Sequence, residues 1–375
     1  LKKQKLINAY KNKNVYITGI TGFKGSWLAL MLHELGANVY GIGLDPEENN
    51  SIFDEAKVEE IANVTIGDIT EKADKSNFIT SLIESNPDYI FHLAAQPLVS
   101  EGYQDPFNTF NTNIMGTVIL HEVLRGLRLP ADKENLSSNN CDHFDDSTSS
   151  CKKISVINVT TDKVYKEKNE PLLEDDKMFG FDPYSLSKTC SDMISTCYRD
   201  AMKSSHYIST MRAGNVIGGG DMAKNRIIPD IVKSAIKNTP VKVRNPHSVR
   251  PYQHVFDALS AYLLIGVLQK DNPGLQGEYN VGPDIEQTMK TEELLEKMKN
   301  FINFDVELNG AQIGKESDYL ALNNEKIKSI GWESVFKTND MVVKSVSEWY
   351  NKFINKEDMQ TFTLNQIKEA FNSYE

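Results

Sequence analysis

The run Val15-Tyr16-Ile17-Thr18-Gly19-Ile20-Thr21-Gly22-Phe23-Lys24-Gly25 decides how this chain is read. Its first four residues predict a strand. Three glycines spaced G-x-x-G-x-x-G predict a tight turn, and Trp27, Leu30, Met31 and Leu35 recur at helical spacing across 26–35. Strand, glycine turn and helix in that order frame a dinucleotide-binding unit. Glycine tolerates positive φ and lets backbone N–H groups approach a pyrophosphate, and the next helix turns its positive end to the anion. Gly19, Gly22, Phe23 and Gly25 are therefore candidate cofactor contacts. The bland alternative is a glycine turn that binds nothing.

Outward from this turn the pattern repeats. Strands are predicted at 38–44, 64–66, 89–93, 154–159 and 208–211, with helices at 77–84 and 113–127 between them. Alternation of this kind gives an α/β fold, a doubly wound parallel sheet of Rossmann type, and continuous apolar runs mark strands buried on both faces. We expect a dinucleotide-binding domain over 12–212, to which 250–282 returns. A smaller α/β substrate-binding lobe is expected mainly over 213–375, with helices at 292–301 and 341–353. Residues 130–153 are polar and aperiodic, and read as a surface insertion.

Three further places are candidate cofactor contacts on position alone, the alternative for Asp45 being an ordinary turn residue before Pro46. Asp45 follows the second strand, 26 residues after Gly19. A carboxylate there accepts hydrogen bonds from the adenosine ribose and repels a 2′-phosphate, so NAD is favoured over NADP. Asp68, with Ile69, follows the third strand toward the adenine. Ala94-Ala95-Gln96 closes the fourth with side chains small enough for close approach.

Bulk properties exclude other classes. The 375 residues carry 41 basic and 52 acidic side chains, a net charge of -11, which argues against a nucleic-acid or membrane-surface binder. The apolar runs are short, such as 262–268, so no transmembrane helix is expected. Four cysteines do not make a disulfide scaffold, and Cys141, His143 and Cys151 fit no common zinc spacing. A cytoplasmic protein without a metal is expected.

Of the fifteen tyrosines only Tyr184 has a lysine, Lys188, four residues later. On a helix the two share a face. A neighbouring ammonium and a positive nicotinamide ring would lower the phenol's pKa, making Tyr184 a base toward a sugar hydroxyl. Thr160-Thr161-Asp162-Lys163 follows the fifth strand, at the end of the sheet where ligands sit. Thr161 is placed to hydrogen-bond the hydroxyl and Asp162 to supply a proton. The alternative is an ordinary charged loop.

These residues resemble the extended short-chain dehydrogenase/reductase family from Val15 to about Tyr350. The likeness covers the glycine turn, His92-Leu93-Ala94-Ala95-Gln96, Asn113-Ile114-Met115-Gly116-Thr117, Tyr184 with Lys188, and Ile330-Gly331-Trp332. It is most specific at 22–28, 212–221 and 244–255. The resemblance implies a lyase that dehydrates a nucleotide-linked glucose, in the CDP-glucose branch. Tyr184 takes the 4-hydroxyl proton as hydride passes from C4 to NAD, water leaves across C5 and C6, and the hydride returns at C6. It also implies Asn113 as a cofactor contact, Gln96 as a contact of cofactor and substrate, and a homodimer built on the helices after Asn113 and Tyr184.

Related dTDP-sugar dehydratases carry Asp-Glu after the threonine. Here the pair is Asp162-Lys163, and Lys163 is expected to act at C5 as a base or by electrostatics alone. Only seven arginines occur, and four of them (Arg212, Arg226, Arg244, Arg250) fall between 212 and 250. Arginine suits bidentate phosphate binding. Arg226 and Arg250, with Asn215, are expected on the diphosphate, Arg244 near the nucleotide, and Arg212 in a structural role. The competing readings are a nucleotide-sugar 4-epimerase or reductase, and a catalytically silent binding protein.

Overall fold

The structure, a computed structural model, describes residues 2–46, 51–71, 74–127, 152–308 and 319–374. Most of the polar 130–153 insertion, with Cys141, His143 and Cys151, lies outside the described residues. Seven parallel strands form the sheet: β1 (Asn14–Thr18), β2 (Asn38–Gly43), β3 (Asn63–Ile66), β4 (Tyr89–His92), β5 (Ser155–Thr161), β6 (Tyr207–Ala213) and, last in the chain, Glu278–Val281. Their spatial order is Glu278–Val281, β6, β5, β4, β1, β2, β3. The doubly wound sheet expected from the sequence is therefore present. The order reverses between β1 and β4, so a crevice opens there beyond the strand ends.

β1 and β5 are buried at every position, which is why Val15–Ile17 reads as an unbroken apolar run and Val156–Val159 as one broken only by Asn158. One face of the sheet carries the helix Val255–Asp271, buried at every residue from Val255 to Gln269. A helix covered on all sides has no polar stripe, so the sequence showed only an apolar run at 262–268 without a helical period. It packs on β5, β6 and the glycine-turn helix Phe23–Glu34. The C-terminal helix Met359–Asn372, not foreseen from the sequence, also packs on Phe23–Glu34.

The other face carries two polar-lined helices, Gly116–Gly126 and Pro183–Thr196. Three two-stranded ribbons build the smaller part: Val216–Ile217 with Gln253–His254, Val249–Arg250 with Met289–Lys290, and Val241–Lys242 with Val306–Glu307. Among the described residues no helix is long and apolar enough to cross a membrane. Cys190 and Cys197 are free thiols, and no described cluster of His, Cys, Asp or Glu is arranged to hold a metal.

Burial holds three histidines neutral, among them His92, which burial and then the Lys188 charge push well down. His121 is pushed down to about 4, His206 adding to the burial effect and Glu122 opposing it, and His254 is pushed down to about 3. Unfolded histidines take up protons near 6.5 while these do not. Their contribution is therefore complete above pH 6.5 and is lost as pH falls toward the folded values. For His121 it is worth about 3 kcal/mol. The melting temperature is expected to fall steadily from pH 6.5 toward 4, and less steeply in His121→Gln; thermal melts across that range test this.

Candidate active site

The glycine turn places its residues as sequence reasoning anticipates. Gly19 has φ +74°, and a Cβ there would stand 2.8 Å from the Ala94 nitrogen. A Cβ on Gly25 would stand 2.1 Å from the Gly19 carbonyl oxygen, so strand and helix close on each other only with glycine. Gly25→Ala is expected to weaken dinucleotide binding by about tenfold or more and to lower the melting temperature, as calorimetric titration and melts would show.

Beyond the turn lies a cavity of about 310 Å³. Its walls include Gly19, Gly22, Phe23 and Gly25, then Asp68 and Ile69 after β3, Ala94 and Ala95 after β4, and Tyr184 and Lys188. Three candidates stand apart from it. Asp45 is exposed beside the rim residue Leu44 and is not among the lining residues. The Gln96 amide is engaged with protein, donating to Leu98 O and Thr109 Oγ1 and accepting from Leu98 N. Asn113 is buried, and its amide accepts from Gln96 N at 2.8 Å and donates to Gln96 O at 3.0 Å and Ser187 Oγ at 2.7 Å. These bonds orient the wall rather than face the space.

A second cavity, of about 360 Å³, adjoins the first. Thr161, Lys163, Asn215, Arg226, Arg244 and Arg250 line it, scattered in sequence and gathered by the fold. Gln96 is not among its lining residues either, and Asp162 sits behind the wall. Phe23, Lys24, Pro97, Thr160, Tyr184 and Arg226 belong to both cavities. Tyr184 thus stands where the two spaces meet.

Local structure holds that position. Asp182 caps the Pro183–Thr196 helix, accepting from Ser185 N at 3.0 Å, and Pro183 opens the first turn without wasting an N–H. Lys188, one turn on, donates to Val159 O at 2.7 Å. The phenol differs from the sequence expectation. Burial pushes Tyr184 up to about 12, although the Thr161 hydrogen bond and the Arg226 charge both lower it. Lys188 does not reverse this, because burial, and then the Lys24 charge, push Lys188 itself down to about 7.

Thr161 Oγ1 donates to Asp162 Oδ1 at 2.9 Å, and Lys163 Nζ reaches the same oxygen at 3.2 Å. Asp162 is 1% exposed, and its Oδ2 has no hydrogen-bond partner among the described residues. Arg226 is held by Asp221 at 2.9 Å. Asn215 Oδ1 is buried without a described partner. Arg212 lies away from both cavities, paired to Asp192 at 2.9 and 2.7 Å and bonded to Tyr165 at 2.9 Å, the structural role expected for it.

Lys24 is the residue sequence reasoning passed over. Burial, then Arg226, push its pKa down to about 8, against Asp162 and Asp221. Its signal was available: a lysine in the first turn of a helix opposes the helix dipole, and is placed well only where an anion meets that end.

A family model described as GDP-mannose 4,6 dehydratase matches residues 16–345. This chain belongs to that family. As a member it falls among the NAD-dependent nucleotide-sugar dehydratases, which are lyases of the extended short-chain dehydrogenase/reductase group, as the motifs suggested. It is 34% identical to the CDP-glucose 4,6-dehydratase of Salmonella typhimurium over 98% of each chain. A GDP-mannose 4,6-dehydratase of Vibrio cholerae is 31% identical over 51% of this chain and 47% of its own. Among solved structures, the dTDP-glucose 4,6-dehydratase of Bacillus anthracis in complex with NAD aligns with TM-score 0.70, 21% identity and coverage of 93% and 99%. The UDP-glucose-4-epimerase of Stenotrophomonas maltophila with bound NAD aligns with TM-score 0.73, 18% identity and coverage of 92% and 99%. These likenesses bear on the fold.

Proposed function

We propose that this enzyme converts CDP-glucose to CDP-4-keto-6-deoxyglucose and water, using bound NAD. One observation carries the reading: a single phenol, Tyr184, faces both the glycine-turn cavity and the arginine-lined cavity. The full-length likeness to a CDP-glucose dehydratase supports the cytidine base, as does Asp162-Lys163 in place of Asp-Glu.

The glycine turn fits a dinucleotide. It leaves the first helix N–H groups open to a pyrophosphate, and the cavity beside it is lined by the small side chains of Ala94 and Ala95. Asp68, at the wall, is the carboxylate toward the adenosine end, and exposed Asp45 follows the rim residue Leu44. When bound, NAD accepts hydride from the sugar and gives it back.

The chain's own groups move the protons. Tyr184 takes the 4-hydroxyl proton, and Thr161 orients that hydroxyl. Lys163 Nζ and Asp162 Oδ1 lie 3.2 Å apart. Lys163 at the wall, as the amine, removes the C5 proton; Asp162, behind the wall, passes a proton to the departing C6 hydroxyl through Thr161 Oγ1, 2.9 Å away, completing water, and Lys163 returns a proton to C5 as hydride is delivered to C6. Arg226, Arg250 and Asn215 hold the substrate diphosphate, and Arg244 lies toward the nucleotide.

Incubation with NAD and a panel of nucleotide-glucoses, followed by mass analysis, tests the reading. Loss of water from the CDP sugar is expected; a 4-epimer of unchanged mass would replace the reading with an epimerase. Arg250→Met is expected to raise the substrate KM by about tenfold to a hundredfold with a smaller change in kcat, and an unchanged KM would remove Arg250 from the site. We also propose a homodimer. Met115, Leu186 and Met193 expose apolar side chains on or beside the two packed helices, and light scattering would show the mass.

A further inference from the structure

The Tyr184 helix is joined to its neighbour by polar pairs at a regular interval. Asn113 Nδ2 donates to Ser187 Oγ at 2.7 Å, Thr117 Oγ1 meets Ser191 Oγ at 2.8 Å, and His121 Nε2 meets Ser195 Oγ at 3.0 Å. Each pair is 74 residues apart, and successive pairs are four residues apart on both helices. The two helices therefore run parallel and meet along matching i, i+4 ridges. All six side chains are buried, at 3% exposure or less.

Apolar residues would cover this face at no cost in desolvation. Hydrophobic contact is not directional, so it resists sliding and rotation weakly, whereas a hydrogen bond is lost within a few tenths of an ångström. Three rungs in line fix one register.

The ladder is also tied at its upper end to both sides of the site. Ser187 Oγ donates to the Tyr184 carbonyl at 2.7 Å, while Asn113 holds the Gln96 backbone after β4. At the second rung His92 Nε2 meets Thr117 Oγ1 at 3.3 Å and His92 Nδ1 meets Thr18 Oγ1 at 2.7 Å. That same Thr18 oxygen accepts from the nitrogen of Ala94, a wall residue of the dinucleotide cavity. Asn158 on β5 donates to Ser191 and Ser195, at 3.1 and 2.9 Å. The turn Asn111–Met115 is a π-helix, and it presents Asn113 as the top rung.

We propose that this ladder is a register clamp. It fixes Tyr184 and Lys188 along and around their helix axis relative to the wall that holds the dinucleotide, and it makes Ser187, Thr117 and Ser191 positioning residues of the reaction. The proposal rests on the reading of Tyr184 as the base. Effects should be graded, because a broken rung displaces Tyr184 less the farther away it lies, and a displacement of about 1 Å at reacting atoms costs up to a hundredfold in rate.

The experiment compares Ser187→Ala, Thr117→Val and Ser195→Ala with wild type. It measures kcat, KM, the pH profile of kcat, melting temperature and amide hydrogen exchange of the Tyr184–Lys188 segment with and without NAD. We expect kcat to fall by about thirtyfold, tenfold and threefold in that order, with KM within about twofold. Exchange of the segment is expected to quicken even without NAD, and Thr117→Ser, which keeps the rung, to restore the rate. Wild-type kcat in folded Ser187→Ala and Thr117→Val would overturn the clamp while leaving Tyr184 as base. Equal losses from all three rungs that follow melting temperature, with exchange of the segment unchanged, would overturn it too, as packing alone. Tyr184→Phe at full rate would instead remove the reading beneath it.

Discussion

Tyr184→Phe is expected to lower kcat by about a thousandfold while leaving the fold and the affinity for substrate nearly intact. Tyr184 lines both cavities, and its phenolate takes a proton from a sugar hydroxyl and is left as the neutral phenol. Phe keeps the ring's volume at a half-buried site, so packing changes little. Burial holds this phenol up at about 12, with Thr161 and Arg226 acting against it. A base so weakly acidic depends on the groups around it, so Thr161→Val is expected to move the acid limb of the kcat profile upward. Steady-state kinetics across pH would check both variants. Full activity in Tyr184→Phe would end the assignment.

Lys163→Ala is expected to give the second largest loss, about a hundredfold to a thousandfold in release of water. Its signature differs from that of Tyr184→Phe. Removing the proton at C5 requires a base at the wall of the sugar cavity, and Lys163 lines that wall while its partner Asp162 sits behind. In heavy water the wild-type product should carry deuterium at C5, and the variant should lose both deuterium uptake and dehydration while still oxidising the sugar at C4. Mass analysis of product and of recovered substrate distinguishes these steps. Normal release of water by Lys163→Ala would leave the lysine no role at C5.

The dinucleotide half of the site was the more legible in the sequence. Gly19, Gly22 and Gly25 announce a backbone demand, since the contacts a Cβ would make are with nearby main chain and depend little on distant packing. Tyr184 and Lys188 were legible for a similar reason: helical spacing fixes which side chains share a face. Asp162 was the harder case. Its position after β5 was predictable, but that it turns behind Thr161 and Lys163, away from the cavity wall, depends on hydrogen bonds in a single turn. Asn113 shows the same limit. Its neighbourhood to the cofactor wall was implied by resemblance, yet its amide is engaged by Gln96 and Ser187, the latter 74 residues away.

By itself, then, the order of residues determined what short-range sterics and periodicity control: the strand–turn–helix units, the parallel sheet they must form, and the pairing of phenol with ammonium on one helical turn. Tertiary structure alone decided which distant groups share a space. Arg226, Arg250, Asn215 and Lys163 meet because loops after different strands converge on one end of the sheet, and Lys24 joins them because its helix starts there. The balance of burial against charge at Tyr184 and Lys188 was also decided there. Desolvation is set by everything packed around a group, and no local spacing encodes it.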